Sequence, residues 1–390
     1  MSLERQLAID LEKLRAEDLF RSLRPLQAKR DVHIRKEGRQ LLNFSANDYL
    51  GLASHPKLLE SALKAGQLYG FGSGASRLIC GSLPPHEELE VEIASWKNCE
   101  AALCFSSGYA AAIGALPALA GAEDVIILDK LVHASLVDGA RFSGAHLRVF
   151  PHNDLERLRS HLIWARKKFP RQRVLIVTES VFSMDGDRCP LKEIIALKND
   201  FGAVLVLDEA HAIGVIGKTG AGLTEEIACN GGGVEVQIGT LSKAVGASGG
   251  YVCGNRNLID VLINRSRSFI FSTAPPPCIA AAALAGIQII RTAEGARLRN
   301  QLWNNIHLFF RNLNISPAES PIVPWIIGSE AAALETARCL ENEGYLAPAI
   351  RYPTVAKGRA RIRFTLSAAH MTDEIEQLGR CLFQFRHKVA

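Results

Sequence analysis

The chain has 390 residues, 48% apolar and 22% charged, enough for one large domain and a smaller one. Its formal charge of +5 is too small over this length to indicate a nucleic-acid partner, and it is compatible with an anionic substrate or cofactor. No apolar run reaches the length of a membrane span, and nine scattered cysteines (Cys229 among them) form no CxxC pair, which argues against zinc and against a disulfide framework.

Residues 1–20 mix Glu4, Asp10, Glu12, Glu17 and Asp18 with basic residues and have no apolar centre, unlike a transit or signal peptide. Reduced thiols and a cytoplasmic location are expected. Leu7, Leu11 and Leu14 stand at i, i+4, i+7 and predict an amphipathic helix. A basic arm follows, with Arg21, Arg24, Lys29 and Arg30 either facing an anionic carrier or simply solvated. The segment 58–68 is helix-like, so Gly70-Phe-Gly-Ser-Gly-Ala behind it is no dinucleotide fingerprint, which needs a strand there. Leu89, Ile93 and Trp96 repeat the helical spacing behind Pro84-Pro85. Ser106-Ser107-Gly108-Tyr109 can present backbone N–H groups to a phosphate at a helix start. Apolar runs then come at 125–128, 174–177, 204–207 and 236–238, with helical segments such as 155–168 between some of them. Continuous rather than alternating apolar strands predict an α/β fold with a mostly parallel sheet covered on both faces. After Ala274-Pro275-Pro276-Pro277 a helix-rich stretch leads into a second α/β pattern, with strands near 322–327 and 360–366 around a helix at 331–343. The expected organisation is an N-terminal arm at 1–45, a large domain at 46–275 and a small C-terminal domain at 276–390.

Open α/β sheets bind ligands at the carboxyl ends of their strands. The four central runs are followed there by Asp129 and His133, by Thr178, Glu179 and Ser183, by Asp208 and His211, and by Gly239, Thr240, Ser242 and Lys243. A carboxylate directly after Val-Leu-Val-Leu needs a partner when buried; Asp208 reads equally as a pyridinium partner and as a helix N-cap. Lys243, flanked by small and hydroxylated residues behind a strand, suits attack on a bound aldehyde. Thr240 and Ser242 can hold phosphate oxygens or cap a turn. Each histidine alone would pass for a partly buried structural residue, but His133 and His211 together with Asp208 and Lys243 suggest a common site. No second close His or Cys accompanies Asp208 and His211, which disfavours a metal.

Seven segments in order carry a resemblance over nearly the whole chain: Asn43-Phe-Ser-Ala-Asn-Asp-Tyr-Leu-Gly-Leu, Gly72-Ser-Gly-Ala-Ser-Arg-Leu, His133-Ala-Ser, Val181-Phe-Ser-Met-Asp-Gly-Asp, Asp208-Glu-Ala-His, Thr240-Leu-Ser-Lys and Arg351-Tyr-Pro-Thr-Val. The chain resembles the α-oxoamine synthases, pyridoxal-phosphate-dependent transferases of fold type I. The resemblance implies that Lys243 carries the cofactor as a Schiff base and later transfers protons, that Asp208 pairs with the pyridine nitrogen, and that His133 stacks on the ring and meets substrate. It implies that His211 lies near the phenolic oxygen, that Ser183 also contacts the cofactor, and that Gly108, Tyr109 and Thr240 hold it largely through its phosphate. Thr273 would reach the phosphate of a second subunit, which implies a homodimer. Arg351 would receive the amino-acid carboxylate, and Arg21 and Thr354 would meet the acyl substrate. Within the family, Ser76-Arg77-Leu78 and Arg21 look most like the member of biotin biosynthesis that joins L-alanine to a pimeloyl thioester, carried on CoA or on an acyl-carrier protein. Members that use glycine or serine with acetyl, succinyl or palmitoyl donors are the alternatives, as is an inactive binding protein of the same fold. Two positions depart from the family pattern. Ala356 stands where a proline is usual, which frees the loop carrying Thr354, and Ala112 stands where an asparagine is frequent, which removes an amide from the pocket.

Overall fold

The structure is a computed structural model that describes residues 1–227, 233–313 and 319–389, with the side chains of 28–30 and 386–389 left aside. Cys229 and the side chains of Lys29 and Arg30 lie outside the described residues. The chain divides into two compact units. The larger comprises Asp48–Ser183 and Asp187–Gln301, and the smaller comprises Met1–Asn47, Met184–Gly186 and Leu302–Ala390.

The larger unit is built on a seven-stranded sheet: β1 Ala101–Phe105, β2 Val125–Asp129, β3 His146–Phe150, β4 Val174–Glu179, β5 Val204–Asp208, β6 Val236–Thr240 and β7 Gly250–Gly254. Their order is β1-β7-β6-β5-β4-β2-β3. The four expected apolar runs are β2, β4, β5 and β6, and they pair in parallel. β2, β4 and β6 are buried along their whole length, which is why β2 and β4 read as continuous rather than alternating apolar sequence, while Gln237 interrupts β6. β7 runs antiparallel to both β1 and β6. Helices are set by local signals. In Leu155–Lys168, Asp154 caps the first turn, Glu156 sits near the start and Arg166, Lys167 and Lys168 near the end, matching the helix dipole, while Leu158, Leu162 and Ala165 face inward. The larger unit extends beyond the proline break at 274–277 because the alanine-rich helix Pro277–Arg291 packs on the helices Pro56–Tyr69 and Pro84–Trp96.

The smaller unit contains the N-terminal helix Leu3–Ala16 and two further sheets. One joins Ala28–Arg30, His33–Lys36 and Arg39–Asn43 antiparallel, with Tyr345–Leu346 added in parallel. The other is antiparallel, ordered β8-β10-β9, from β8 Ile322–Gly328, β9 Ala349–Ile350 and β10 Ala360–Thr365. Phe44 is fully buried and stacks on His370 at 4.1 Å. The His370 ring accepts from Ser367 N–H and lies 3.1 Å from the Asn43 carbonyl, and burial pulls its pKa down to about 4. Among the described residues no single helix is long and apolar enough to cross a membrane.

Candidate active site

In the larger unit the carboxyl ends of β2, β4, β5 and β6 carry the polar groups singled out from the sequence. Lys243 Nζ lies 2.7 Å from His211 Nε2, and His211 Nδ1 lies 2.5 Å from Tyr49 Oη. Tyr49 is fully buried and His211 nearly so. An ammonium on Lys243 donates to Nε2, so the proton of the neutral ring sits on Nδ1 and is donated to Tyr49. The three side chains therefore form a line that fixes the amine.

Asp208 closes β5 and accepts from the Ala210 N–H at 2.8 Å. Burial raises its pKa; Lys243, the Ala210 N–H and His133 all act in the opposite direction. The helix N-cap reading of Asp208 is not met, since the next helix begins only at Leu223; its carboxylate holds a turn instead, and buried there it calls for a cationic partner. The next residue, Glu209, is fully buried in an ion pair with Lys97 and accepts from Thr224 N–H at 3.0 Å, anchoring the same turn. His133 is the N-cap of Ala134–Phe142: its Nδ1 accepts from Ser135 N–H at 3.3 Å and meets Ser135 Oγ at 2.8 Å. With Nδ1 occupied as an acceptor, the neutral ring carries its proton on Nε2. Burial lowers the His133 pKa, Asp208 raises it and Lys243 lowers it further.

At the other end of the site, Ser107 caps the helix Gly108–Leu119 through its Oγ, which accepts from Ala110 N–H at 3.0 Å. Thr240 Oγ1 donates to the Gly249 carbonyl at 2.9 Å and pairs with Ser242 Oγ at 2.8 Å. Gly250 is required here, since a Cβ on it would stand 2.5 Å from Gly108 N. β7 thereby brings the hydroxyls behind β6 against the helix start at Gly108, a terminus whose dipole favours an anion. Tyr109 is 44% exposed and donates to Asp138 at 2.6 Å, a bond that raises its pKa. Ser183 is buried. Thr273 is exposed and bridged through its backbone to Ser76.

This donor set fits pyridoxal phosphate. An amine is held by a histidine, a desolvated carboxylate can face a ring nitrogen, and a helix N-terminus with neighbouring hydroxyls can take the phosphate. Ala112, fully buried in the helix Gly108–Leu119, leaves that cradle without a side-chain amide at its position.

Arg21, Arg351 and Thr354 belong to the smaller unit. The Arg351 guanidinium donates to the backbone carbonyls of Asp18 and Phe20, and Arg21 donates to the Tyr352 carbonyl at 2.8 Å. Arg351 Nε is buried without a hydrogen-bond partner. Burial lowers the Arg351 pKa, and Arg21 adds to that effect. Both arginines line a cavity of about 520 Å³ together with Phe20, Arg24, Lys36 and Glu341. Glu341 pairs with Lys36 at 2.5 Å and with Arg24 at 3.6 Å. Thr354 is exposed on the loop, its N–H donating to the Arg351 carbonyl at 3.0 Å.

Two residues of the larger unit's site were given no role from sequence. Tyr49 lies within the quoted Asn43–Leu52 segment, but its contact with His211 spans most of the unit. Glu179 ends an apolar run as Asp208 does, and its Oε1 accepts from the His133 N–H.

The family described as Aminotransferase class I and II matches residues 39–381. An 8-amino-7-oxononanoate synthase of Geobacter sulfurreducens is 43% identical, over 96% of both chains. One of Alkalilimnicola ehrlichii is 44% identical, over 98% of both. Among solved structures, a serine palmitoyltransferase of S. paucimobilis with a bound PLP–myriocin aldimine superposes with a TM-score of 0.89 at 28% identity, covering 97% of each chain. An 8-amino-7-oxononanoate synthase of Francisella tularensis superposes with a TM-score of 0.75 at 28% identity, covering 90% of this chain and 99% of that one. Similarity at this level over the full length, on a sheet whose strand ends carry the expected amine, carboxylate and imidazoles, places the chain in the 8-amino-7-oxononanoate synthase family of pyridoxal-phosphate-dependent acyltransferases.

Proposed function

We propose that this chain condenses L-alanine with a pimeloyl thioester, on CoA or an acyl-carrier protein, to give 8-amino-7-oxononanoate, carbon dioxide and the free thiol carrier. The observation that carries this reading is the full-length similarity to synthases of that name, in a chain with Lys243 at hydrogen-bond distance from His211.

Lys243, Asp208, His133, His211 and Ser183 would hold the cofactor ring, and Gly108, Tyr109 and Thr240 its phosphate. When bound, pyridoxal phosphate supplies an electron-accepting ring that stabilises negative charge on the amino-acid Cα. Asp208 would keep a proton on the ring nitrogen, its carboxylate form supported by Lys243, the Ala210 N–H and His133 against the cost of burial. His133, neutral with Nε2–H, offers its face to the ring without adding charge. Deprotonated Lys243 takes the proton from alanine Cα, positioned by His211 and Tyr49. Alanine Cα then bonds to the thioester carbonyl carbon as the C–S bond breaks, the alanine carboxylate leaves as carbon dioxide, and Lys243 returns a proton to Cα. Arg351 exchanges the carbonyls of Asp18 and Phe20 for the amino-acid carboxylate, a stronger charge-assisted partner. Arg21 and Thr354 meet the acyl chain. Exposed Thr273 would reach the phosphate of a second subunit in a homodimer, and the enzyme would act in the cytoplasm.

The test is thiol release from pimeloyl-CoA by cofactor-loaded protein offered L-alanine, glycine or L-serine in turn. Release that depends on L-alanine, with the amino ketone formed, is expected. Release only with L-serine and a palmitoyl donor would move the chain to the activity named for its serine palmitoyltransferase neighbours. No release with any of these amines, from a protein that binds the cofactor, would overturn the pimeloyl donor.

A further inference from the structure

Glu179 ends β4 as Asp208 ends β5, and the two are direct partners in the parallel register. Glu179 is 2% exposed. The groups that bear on it from the surrounding elements are Asp208 on β5, Lys243 behind β6, the His133 N–H and Asp129 at the end of β2. Asp129 has His152 as its own cation, so Lys243 stands against both Asp208 and Glu179, and Glu179 itself makes no ion pair among the described residues. Adjacent desolvated carboxyls do not both ionise readily. Asp208 has the stronger claim to the charge, since it has Lys243, the Ala210 N–H and His133 to support it. Glu179 has a backbone donor: the His133 N–H, at the residue that caps the following helix.

We propose that Glu179 is a positioning residue that works as a neutral acid, holding the backbone of His133 in the cofactor site while leaving Asp208 as the charged carboxylate. Burial and the neighbouring Asp208 push the Glu179 carboxyl well above the usual range, with Lys243 and the His133 N–H opposing. A second full carboxylate beside Asp208 would compete with it for the proton of the ring nitrogen. A neutral Glu179 leaves one acid in that role and still supplies the acceptor that His133 requires. The proposal rests on the family's cofactor and is independent of which acyl donor is used.

Two variants separate charge from acceptor. Glu179→Gln keeps a carbonyl acceptor without an ionisable proton, and Glu179→Ala removes the acceptor. The measurements are the unfolding temperature of the cofactor-free protein across pH and the equilibrium affinity for pyridoxal phosphate. An acid whose folded pKa is raised costs stability as pH rises above its unfolded value, so the Gln variant should gain on wild type progressively as pH rises above that value. Its affinity for pyridoxal phosphate should stay within about threefold, while the Ala variant should lose about tenfold or more by orphaning the His133 N–H. A Gln variant whose offset is flat or falls with pH, or which does not fold, would show that the glutamate works as an anion. An Ala variant that binds the cofactor like wild type would remove Glu179 from positioning. Where the Ala variant does not fold, the Gln series decides.

Discussion

His152, just beyond β3, spans two loops at the ligand end of the larger unit's sheet. Its Nδ1 donates to Asp129 at 3.0 Å and its Nε2 to Asp187 at 2.7 Å, so both ring nitrogens carry protons. Asp129 also accepts from Leu131 N–H and Asn153 N–H, at 2.8 Å each, which fixes the loop leading to His133. Burial alone would lower the His152 pKa, yet the two carboxylates raise it to about 10. Its contribution to stability is therefore complete below the unfolded value near 6.5 and is lost as pH rises through about 10. Unfolding followed by denaturant should show stability declining above neutrality by at most ~1.4 kcal/mol per pH unit from this group, and His152→Gln should flatten that slope. An unchanged slope in the variant would assign the alkaline loss elsewhere. At this scale Lys243, Asp208 and His133 were legible because each follows an apolar run that could be nothing but a buried strand. His152 and Tyr49 were not, because their meaning lies in partners distant along the chain, Asp129 and Asp187 for the one and His211 for the other; Glu179 was read at its strand end without a role, which lies in its contact with His133.

Among elements, the turn after β5 depends on the Lys97–Glu209 pair, both side chains fully out of water. Lys97 also donates to the Ala221 carbonyl, and Glu209 accepts from Thr224 N–H and Oγ1, so each ion has further hydrogen bonds beyond the pair. Lys97→Met leaves a buried carboxylate without its cation and should cost roughly 3–5 kcal/mol in denaturant unfolding, most of it recovered by Lys97→Met with Glu209→Gln. A loss under about 1 kcal/mol in the single variant would mean that water reaches Glu209. Of the five parallel strands, β2, β4, β5 and β6 were readable from sequence, since burial on both faces favours Val, Ile and Leu, whereas β3, a largely exposed His-Leu-Arg-Val-Phe, escaped that reading. β1 and β7 were not. Ala101–Phe105 is alanine-rich, and Gly250–Gly254 is short and glycine-bounded, a composition that serves close approach to the helix start at Gly108 rather than strand propensity. The smaller unit's β8 was legible by a run of apolar residues and β10 by the alternation of Ala360, Ile362 and Phe364 with Arg361 and Arg363, whereas the two-residue strands Tyr345–Leu346 and Ala349–Ile350 carry too little pattern to be read.

For the whole molecule, the residues proposed to hold the cofactor within one chain all lie in the larger unit. Binding to the folded state alone stabilises it by mass action, about 2.7 kcal/mol at a hundred times Kd. Hydrogen exchange on adding pyridoxal phosphate should slow at the start of Gly108–Leu119 and around Thr240, with β8 and β10 unchanged. Equal slowing in those strands would mean that the cofactor's influence reaches beyond its own unit. The antiparallel β7 has a further consequence, for the order in which the molecule is made. β1 emerges from the ribosome early, but its neighbour in the sheet comes only after β6, so Ala101–Phe105 remains an unpaired apolar edge through synthesis of nearly the whole larger unit. The helix start proposed to hold the cofactor phosphate is completed in that same late pairing, when Gly250 meets Phe105 and closes on Gly108. Nascent chains therefore carry an aggregation-prone edge and no cofactor site until the same strand resolves both.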